Sequence, residues 1–311
     1  VPFVSVVIPV RNDPRVALCL DALLTQTYRA DRHEIIVVDN GSTDGTGEII
    51  RRYPVSVLVE DRIVSSYAAR NTGVLFARGS VIALIDSDCV PGPAWIEEGI
   101  RALESSAADL VGGHVRFVYT ERPSPAELFD SLNHMQQSRD IAVRKVAKTA
   151  NLFIRRRVFD QIGMFPAIES GGDVYWTRRA TRRGLSIAFA ERAEVAHPTR
   201  GLRQLIRKAY RVGKGRYDRY LLERHVADSP GSPFETASGV TWRDYRPPKL
   251  RALAASTARN QVEIAPPRLL LVWTAGWLYR IVMALGSTHR WSEHRLAAFR
   301  HHAPKVGDTL S

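Results

Sequence analysis

Four short apolar runs, Val4 to Pro9, Glu34 to Asp39, Ser56 to Val59 and Ser80 to Asp86, are spaced through the start of the chain with helical patterns between them. Each run is rich in β-branched residues and shows little polar alternation, which is the pattern of strands covered on both faces. One helix is expected to open at Asp13-Pro14, a capping residue followed by a proline suited to the first turn, and to run to about Thr27. A second follows Ser42-Thr43-Asp44, and a third spans about Ser66 to Arg78 before Gly79 stops it. Strand and helix in strict alternation predict a doubly wound, mostly parallel α/β sheet, whose ligands bind beyond the carboxyl ends of the strands.

Past Pro91-Gly92-Pro93 the pattern loosens. It reads as a helix near Ala94 to Glu104, a strand at Leu110 to Val118, a helix near Pro125 to Arg139 and a strand then helix within Thr149 to Gly163. A helix at Asp173 to Arg183 and an extended stretch at Leu185 to Val195 follow. These are α+β elements expected to extend the same sheet. Gly201 to about Arg224 reads as a long basic helix, a Pro/Gly/Ser-rich loop lies near Asp228 to Ser238, and Pro247-Pro248 and Pro266-Pro267 each open a further helical piece. The domain reading is 1–200 as one α/β unit, divided at 110 and 111, with 201–311 as a basic helical extension.

With 311 residues, 45% hydrophobic and 24% charged, the composition is that of a globular enzyme and excludes disordered, collagenous and disulfide-scaffold chains. Cys19 and Cys89 sit among apolar residues without a CxxC or a neighbouring His, so they read as buried small hydrophobes rather than a redox pair. Val1-Pro2-Phe3 shows neither Met nor a basic segment leading into an apolar run, so no secretory leader is expected and the chain reads as trimmed at that end. The formal charge of +12 is uneven: residues 1–100 are net acidic, whereas 201–311 carry a large basic excess. Such a tail suits nucleic acid, an anionic membrane or a phosphorylated substrate, and charge alone does not choose.

Two of the apolar runs end in carboxylates, Asp39 in IIVVDNGSTDGT and Asp86 in VIALIDSDC. A carboxylate closing a buried strand must be solvated, capped or coordinated. Asp86-Ser87-Asp88 offers two hard oxygen ligands suited to one Mg²⁺ or Mn²⁺ that also takes diphosphate oxygens, although solvated turns use the same residues. No GxxxxGK[ST] is present, and no glycine set forms GxGxxG between strand and helix. A bound diphosphate would therefore depend on a cation.

These motifs, taken in order, resemble the family-two inverting glycosyltransferases of the GT-A fold. The matching residues are VSVVIPVRND, EIIVVDNGSTDGT, AARNTG at 68–73, ALIDSDC at 83–89, NLFIRRRVFDQIGMF at 151–165 and GGDVYWTRRATRRG at 171–184. The match spans about residues 3–200. It implies that Pro9, Asn12, Asp39, Arg70 and Asp86 serve the nucleotide, and that Asp88, with Asp86 beside it, holds the metal. On local pattern alone Pro9 could end a strand, Asn12 make a turn, Arg70 be a surface cation and Asp44 cap a helix.

The family's acceptor-side motif places Glu-Asp two residues before a second Asp. Here it reads Gly172-Asp173-Val174-Tyr175, which leaves Asp173 as the implied general base, with Glu169 a candidate to compensate for the missing acids. Asp173 would also cap the helix beginning there, and the two roles are compatible. His197 in EVAHPTR stands where some relatives add a metal ligand; a packed imidazole is the other reading.

Along Gly201 to Arg224, Leu202, Leu205, Ile206, Ala209 and Val212 recur at helical spacing with Arg203, Arg207, Lys208, Arg211 and Lys214 largely on other faces. Such a helix rests on anionic lipid or packs on its own domain. In RLLLVWTAGWLYRIVMALG the run from Leu269 to Tyr279 is too short to cross a bilayer, and Arg280 would lie inside any longer span. An interfacial helix with Trp273 and Trp277 is expected, or else a core or oligomer helix.

The resemblance thus implies transfer, with inversion, of a sugar from a nucleotide-sugar donor, a UDP-sugar by expectation, to a hydroxyl of a glycan or lipid-linked acceptor. A divalent cation, Mg²⁺ or Mn²⁺, is the expected cofactor. The expected location is the inner face of the cytoplasmic membrane, with an anionic membrane surface as partner. A non-catalytic nucleotide-sugar-binding protein is the alternative, for which Gly172 and Tyr175 argue. No nucleic acid partner is expected, since no helix-turn-helix, zinc or RNP signature accompanies the basic tail.

Overall fold

The computed structural model describes residues 1–226, 240–260 and 262–302. Strands β1 (Val4–Val10), β2 (His33–Asp39), β3 (Ser56–Val59) and β4 (Val81–Ile85) pair in parallel in the order β3-β2-β1-β4. Their crossovers are the helices α1 (Val16–Leu24), α2 (Thr46–Ile50) and α3 (Ser66–Phe76). Successive strand residues face opposite sides of a sheet, and the two sides are visible in the core. Val6, Ile8, Val37 and Ala83 pack with Leu20 of α1, whereas Val7, Ile36, Val38 and Leu84 pack with Tyr67, Ala69 and Val74 of α3. β3 departs from the expectation of two covered faces. It is the edge strand, and Val57 and Val59 are exposed because no further layer reaches them.

The remaining strands extend the sheet past β4, as expected of the looser half. They are β5 (Val90–Pro91), β6 (Leu110–Val118), β7 (Asn151–Arg155) and β8 (Ile187–Pro198), in a complete order β3-β2-β1-β4-β7-β6-β8-β5. β7 is antiparallel to both β4 and β6, so β6 and β8 run in the same sense as β4. The carboxyl ends of β1, β2, β4, β6 and β8 therefore share one edge. Intervening helices are α4 (Trp95–Ser105), α5 (Pro125–Asn133), α6 (Gln137–Arg144), α7 (Arg157–Ile162) and α8 (Gly172–Arg182). The single helix expected from Pro125 to Arg139 is two. Met135 adopts a left-handed conformation, and Gln136 Nε2 donates to the carbonyls of Ser131 and His134, ending the first helix there.

Among the described residues, three further α-helices follow: α9 (Leu202–Val226), α10 (Leu250–Arg259) and α11 (Pro266–His302). The loop expected near Asp228 to Ser238 lies outside the described residues. Leu205 and Ala209 of α9, Leu253 of α10 and Val272, Ala275 and Tyr279 of α11 form one apolar cluster with Leu128, Phe129 and Leu132 of α5. The C-terminal helices are thus built onto the α/β unit. α9 and α11 approach so closely that a Cβ on Gly213 would overlap the Met283 carbonyl.

The apolar segment is longer than the sequence reading allowed. α11 has 37 residues, and its part Pro266–Leu296 is long and apolar enough to cross a membrane, with a mean hydropathy of 1.6 in its most apolar window, 33% of it buried. The pattern continues through Ile281 to Leu285 because Arg280 turns aside, donating to the Arg243 carbonyl at 2.9 Å. Both indole N–H groups are held within the protein, Trp273 by the Pro248 carbonyl and Trp277 by the Tyr245 carbonyl.

Candidate active site

At the carboxyl edge, Asp39 ends β2 and accepts from the Ser42 amide at 2.9 Å on Oδ1. Asn12, just past β1, has φ of 49° and accepts from the Thr43 amide at 2.7 Å, while its own amide donates to Ser42 Oγ at 3.0 Å. The turn that Asn12 makes thereby ties the β1 and β2 loops together. Pro9 lies within β1 opposite Val38 and is buried. The residue capping α2 is Gly45, in a left-handed conformation; Asp44, just before it, accepts from the Thr46 amide and hydroxyl at the start of that helix.

Arg70 is not a surface cation. It is buried on α3, its Nη2 pairs tightly with Asp86 Oδ1, and its Nε has no partner. The guanidinium also lies 5.5 Å from the centre of the Tyr67 ring, and the Tyr67 hydroxyl donates to Asp173 Oδ1 at 3.1 Å. Burial, with the Asp173 charge beside it, raises the Tyr67 hydroxyl and keeps it protonated as that donor. A chain of contacts, Asp86 to Arg70 to Tyr67 to Asp173, thus joins the end of β4 to the start of α8.

Asp173 sits in the first turn of α8, its Oδ1 also accepting from the Val174 amide at 2.8 Å. The missing acid at position 172 has a steric cause, since a Cβ there would meet the Tyr67 ring at 2.9 to 3.1 Å. Tyr67 fills the space and supplies Asp173 with a donor. Glu169 is committed elsewhere, 3.2 Å from Lys214 Nζ.

Asp88 and His197 come together. Asp88 Oδ2 is 3.7 Å from His197 Nε2, 3.5 Å from Arg15 Nη2 and 3.8 Å from Arg200 Nη2. His197 is fully buried, and its partners settle the tautomer. Nδ1 lies 2.7 Å from the Pro198 carbonyl, which only accepts, and Nε2 lies 3.0 Å from Arg200 Nη2, which only donates. Burial favours the neutral ring, so Nε2 carries a single lone pair, which accepts from Arg200 beside Asp88. Burial opposes the charge of Asp88, but the guanidinium groups of Arg200 and Arg15 beside it hold its carboxyl below the usual range. Together with the Cys89 thiol, these ligand atoms lie within 4.8 Å of one another. Carboxylate and imidazole are donors that Mn²⁺ accepts and Mg²⁺ takes in part, so the set fits a divalent cation. Asp86 is directed to Arg70 and is not among those atoms.

Register explains the meeting. β5 pairs with β8 as Val90↔Ala196 and Pro91↔Val195, which brings the residues just before β5 against His197. Of the residues gathered here, sequence reasoning named Asp86, Asp88, Asp173, Arg70 and His197 for the site and Cys89 as a buried small hydrophobe, but not Arg15, Tyr67, Arg200 or Asp130. Asp130 on α5 is fully buried and receives His134 Nδ1 at 2.7 Å, Lys208 Nζ at 2.9 Å and Arg200 Nη1 at 3.3 Å. A carboxylate inside the apolar stretch LFDSL was the available signal.

A mixed sheet whose parallel strands end in acidic loops, with a later strand carrying a facing imidazole, is an arrangement of the GT-A type. The family model described as Glycosyl transferase family 2 matches residues 5–163. The chain is 44% identical over 230 residues to "Glycosyltransferase AglE" of Haloferax volcanii, covering 72% of this chain and 76% of that protein. Among solved structures it is similar to a mannosyltransferase from Pyrobaculum calidifontis in complex with GDP-Man and Mn²⁺ (TM-score 0.62, 17% identity, 94% and 88% of the two chains). It is also similar to S. aureus TarS 1-349 in complex with UDP-GlcNAc (TM-score 0.52, 18% identity, 95% and 92%). The chain belongs to glycosyl transferase family 2 and is a glycosyltransferase.

Proposed function

We propose that the protein transfers a sugar from a nucleotide diphosphate sugar to a hydroxyl acceptor by direct displacement with inversion. The observation that carries this reading is the grouping of Asp88 and His197 at the carboxyl edge, joined through Asp86, Arg70 and Tyr67 to Asp173. In this reading residues 1–110 hold the donor and 111–200 the acceptor. Pro9, Asn12 and Asp39 line the nucleotide, with Arg70 and Asp86 toward its diphosphate. Asp88 and His197 hold a divalent cation, with Asp86 alongside. A bound cation supplies charge stabilisation for the departing diphosphate.

Asp173 removes the acceptor proton. Its Oδ1 is engaged by Tyr67 and Val174, which fixes the carboxylate and leaves Oδ2 for the acceptor hydroxyl. The donor reading is supported by fold neighbours that hold GDP-Man with Mn²⁺ and UDP-GlcNAc. A UDP-sugar is our first choice, and GDP-sugars are tested beside it.

The acceptor in this reading is a lipid-linked glycan or polysaccharide, met at the inner face of the cytoplasmic membrane. Leu270, Leu271, Leu278 and Leu285 support it, forming an exposed apolar stripe along α11 opposite the face packed on α9 and α5. The stripe suits the interior of a lipid surface, and the basic residues of the C-terminal third suit its anionic headgroups. The deciding experiment screens UDP- and GDP-sugars for nucleotide release and thermal stabilisation with Mn²⁺, Mg²⁺ or EDTA. Selective, metal-dependent response to one donor supports the reading, and no response to any nucleotide sugar refutes it.

A further inference from the structure

Arg200 stands between two acidic centres. On one side its Nη2 lies 3.0 Å from His197 Nε2 and 3.8 Å from Asp88 Oδ2. On the other its Nη1 lies 3.3 Å from Asp130 Oδ2, and its backbone amide donates to the same oxygen at 3.2 Å. Asp130 is an anchor rather than a second open ligand. It is fully buried, and its Oδ1 is occupied by Lys208 and His134.

A guanidinium has donors only, so its contact with Nε2 consumes the one imidazole lone pair that a cation at Asp88 would need. The position a dication would take is thus covered by the protein's own positive charge. Two cations cannot share Asp88 Oδ2 and His197 Nε2, because like charges about 4 Å apart repel strongly where solvent is partly excluded. Arg200 need not move far to clear the way. Nη1 and the backbone amide stay on Asp130, and a turn about that anchor releases Nη2 alone. A planar fork with donors on two edges allows this, whereas a lysine ammonium is a single point of charge.

We propose that Arg200 is a placeholder for the divalent cation in the metal-free protein and, anchored on Asp130, a ligand for the donor diphosphate once the cation is bound. This rests on the nucleotide-sugar and metal reading given above. It assigns Arg200 two effects of opposite sign: it weakens binding of the metal alone and strengthens binding of the metal with a nucleoside diphosphate. A residue that merely supports Asp88 would act in one direction on both.

The test uses the full chain and the variants Arg200→Ala, Arg200→Gln and Arg200→Lys. Mn²⁺ alone is titrated by the electron paramagnetic resonance signal of the free ion. UDP, GDP, UMP and GMP are titrated calorimetrically at saturating Mn²⁺. For Ala and Gln the expected results are Mn²⁺ binding roughly threefold or more tighter than wild type, and diphosphate binding about 10- to 100-fold weaker. Binding of the monophosphates should be unchanged. Arg200→Lys, which retains the charge, should stay near wild type for Mn²⁺ and fall between for the diphosphates.

Asp130 keeps Lys208 and His134 in every variant, so the fold should hold; melting curves verify this, and Gln substitutes if Ala melts early. Unchanged or weaker Mn²⁺ binding by Arg200→Ala and Arg200→Gln overturns the proposal, as does equal loss for mono- and diphosphates. If wild-type binding of UDP and GDP does not depend on metal, the donor-site reading itself falls. If it does depend on metal and the variants match wild type, only the role of Arg200 falls.

Discussion

Replacing Asp173 by Asn tests the chemistry while sparing the fold. The wild-type Oδ1 accepts from Tyr67 at 3.1 Å and from Val174 at 2.8 Å, and an Asn Oδ1 accepts both bonds in the same geometry. What disappears is the negative charge at the start of α8, worth ~0.3–1 kcal/mol at a helix amino terminus. That corresponds to a melting shift of no more than about 4 °C for a chain of this size. Proton abstraction suffers differently, because the amide cannot take the acceptor proton. Loss of a general base lowers the rate about 10²- to 10⁴-fold, or roughly 3–5 kcal/mol of barrier. Nucleotide affinity should hardly change, since in the proposed reading Asp173 addresses only the acceptor. The assay combines initial transfer rates with the donor found in the screen, calorimetry with its nucleoside diphosphate and melting curves. Turnover within about threefold of wild type would refute the assignment. Early melting without an additional rate defect would reduce Asp173 to a structural charge in the first turn of α8, whose N-cap is Gly171.

The other predictions bear on metal, membrane and pH. Asp88→Asn should abolish most of the metal-dependent stabilisation by UDP or GDP in a melting assay; equal stabilisation of both proteins with Mn²⁺ and with EDTA would remove the cation from the site. Changing Leu270, Leu271, Leu278 and Leu285 together to Ser should release the protein from anionic vesicles in sedimentation without disturbing α11, whose packed face is untouched; undiminished pelleting would place the contact elsewhere. Glu127 closes the α5 capping box and accepts from Thr120 and Thr199, so Glu127→Ala should lose ~1–3 kcal/mol of stability. Burial opposes its charge, but donors from Ser124, Thr120 and Thr199 outweigh that and bring the carboxyl down to about 2 from 4.5. Its contribution is therefore complete above pH 4.5 and is lost as pH falls toward 2, and denaturant titrations should show Glu127→Gln without that part of the slope.

The parallel half of the sheet was legible because strands with two buried faces need continuous apolar runs, and the bounds of β3 and β6 appear in the sequence as written. The exposed alternate residues of β3 were not, since edge position is decided by what fails to pack there. Strand direction was equally silent: nothing in NLFIR says that β7 runs against its neighbours. The two-helix form of 125–144 depends on one left-handed residue, Met135, which is not a residue type that announces such a turn. At the site, carboxylates ending apolar runs stood out by their local cost, which is how Asp39, Asp86 and Asp88 were found. Tyr67 and Arg200 were missed because their roles arise from contacts across the fold. Tyr67 matters through Asp173 and the small residue at 172, and Arg200 through Asp130, both distant along the chain.

The two ladder pairs between β5 and β8 have a consequence for how the protein comes to be. Asp39 comes from β2, which lies between β1 and β3, and Asp86 from β4, which returns beside β1. His197 reaches Asp88 only after β6, β7 and β8 have been laid down and β8 has docked beside β5. Such distant pairings close large loops and form late. A chain that ends short of β8 lacks the imidazole that stands beside Asp88. On the proposed reading, a grip on a divalent ion is a signature of completed folding, and its appearance during refolding is expected to mark the docking of β8 beside β5.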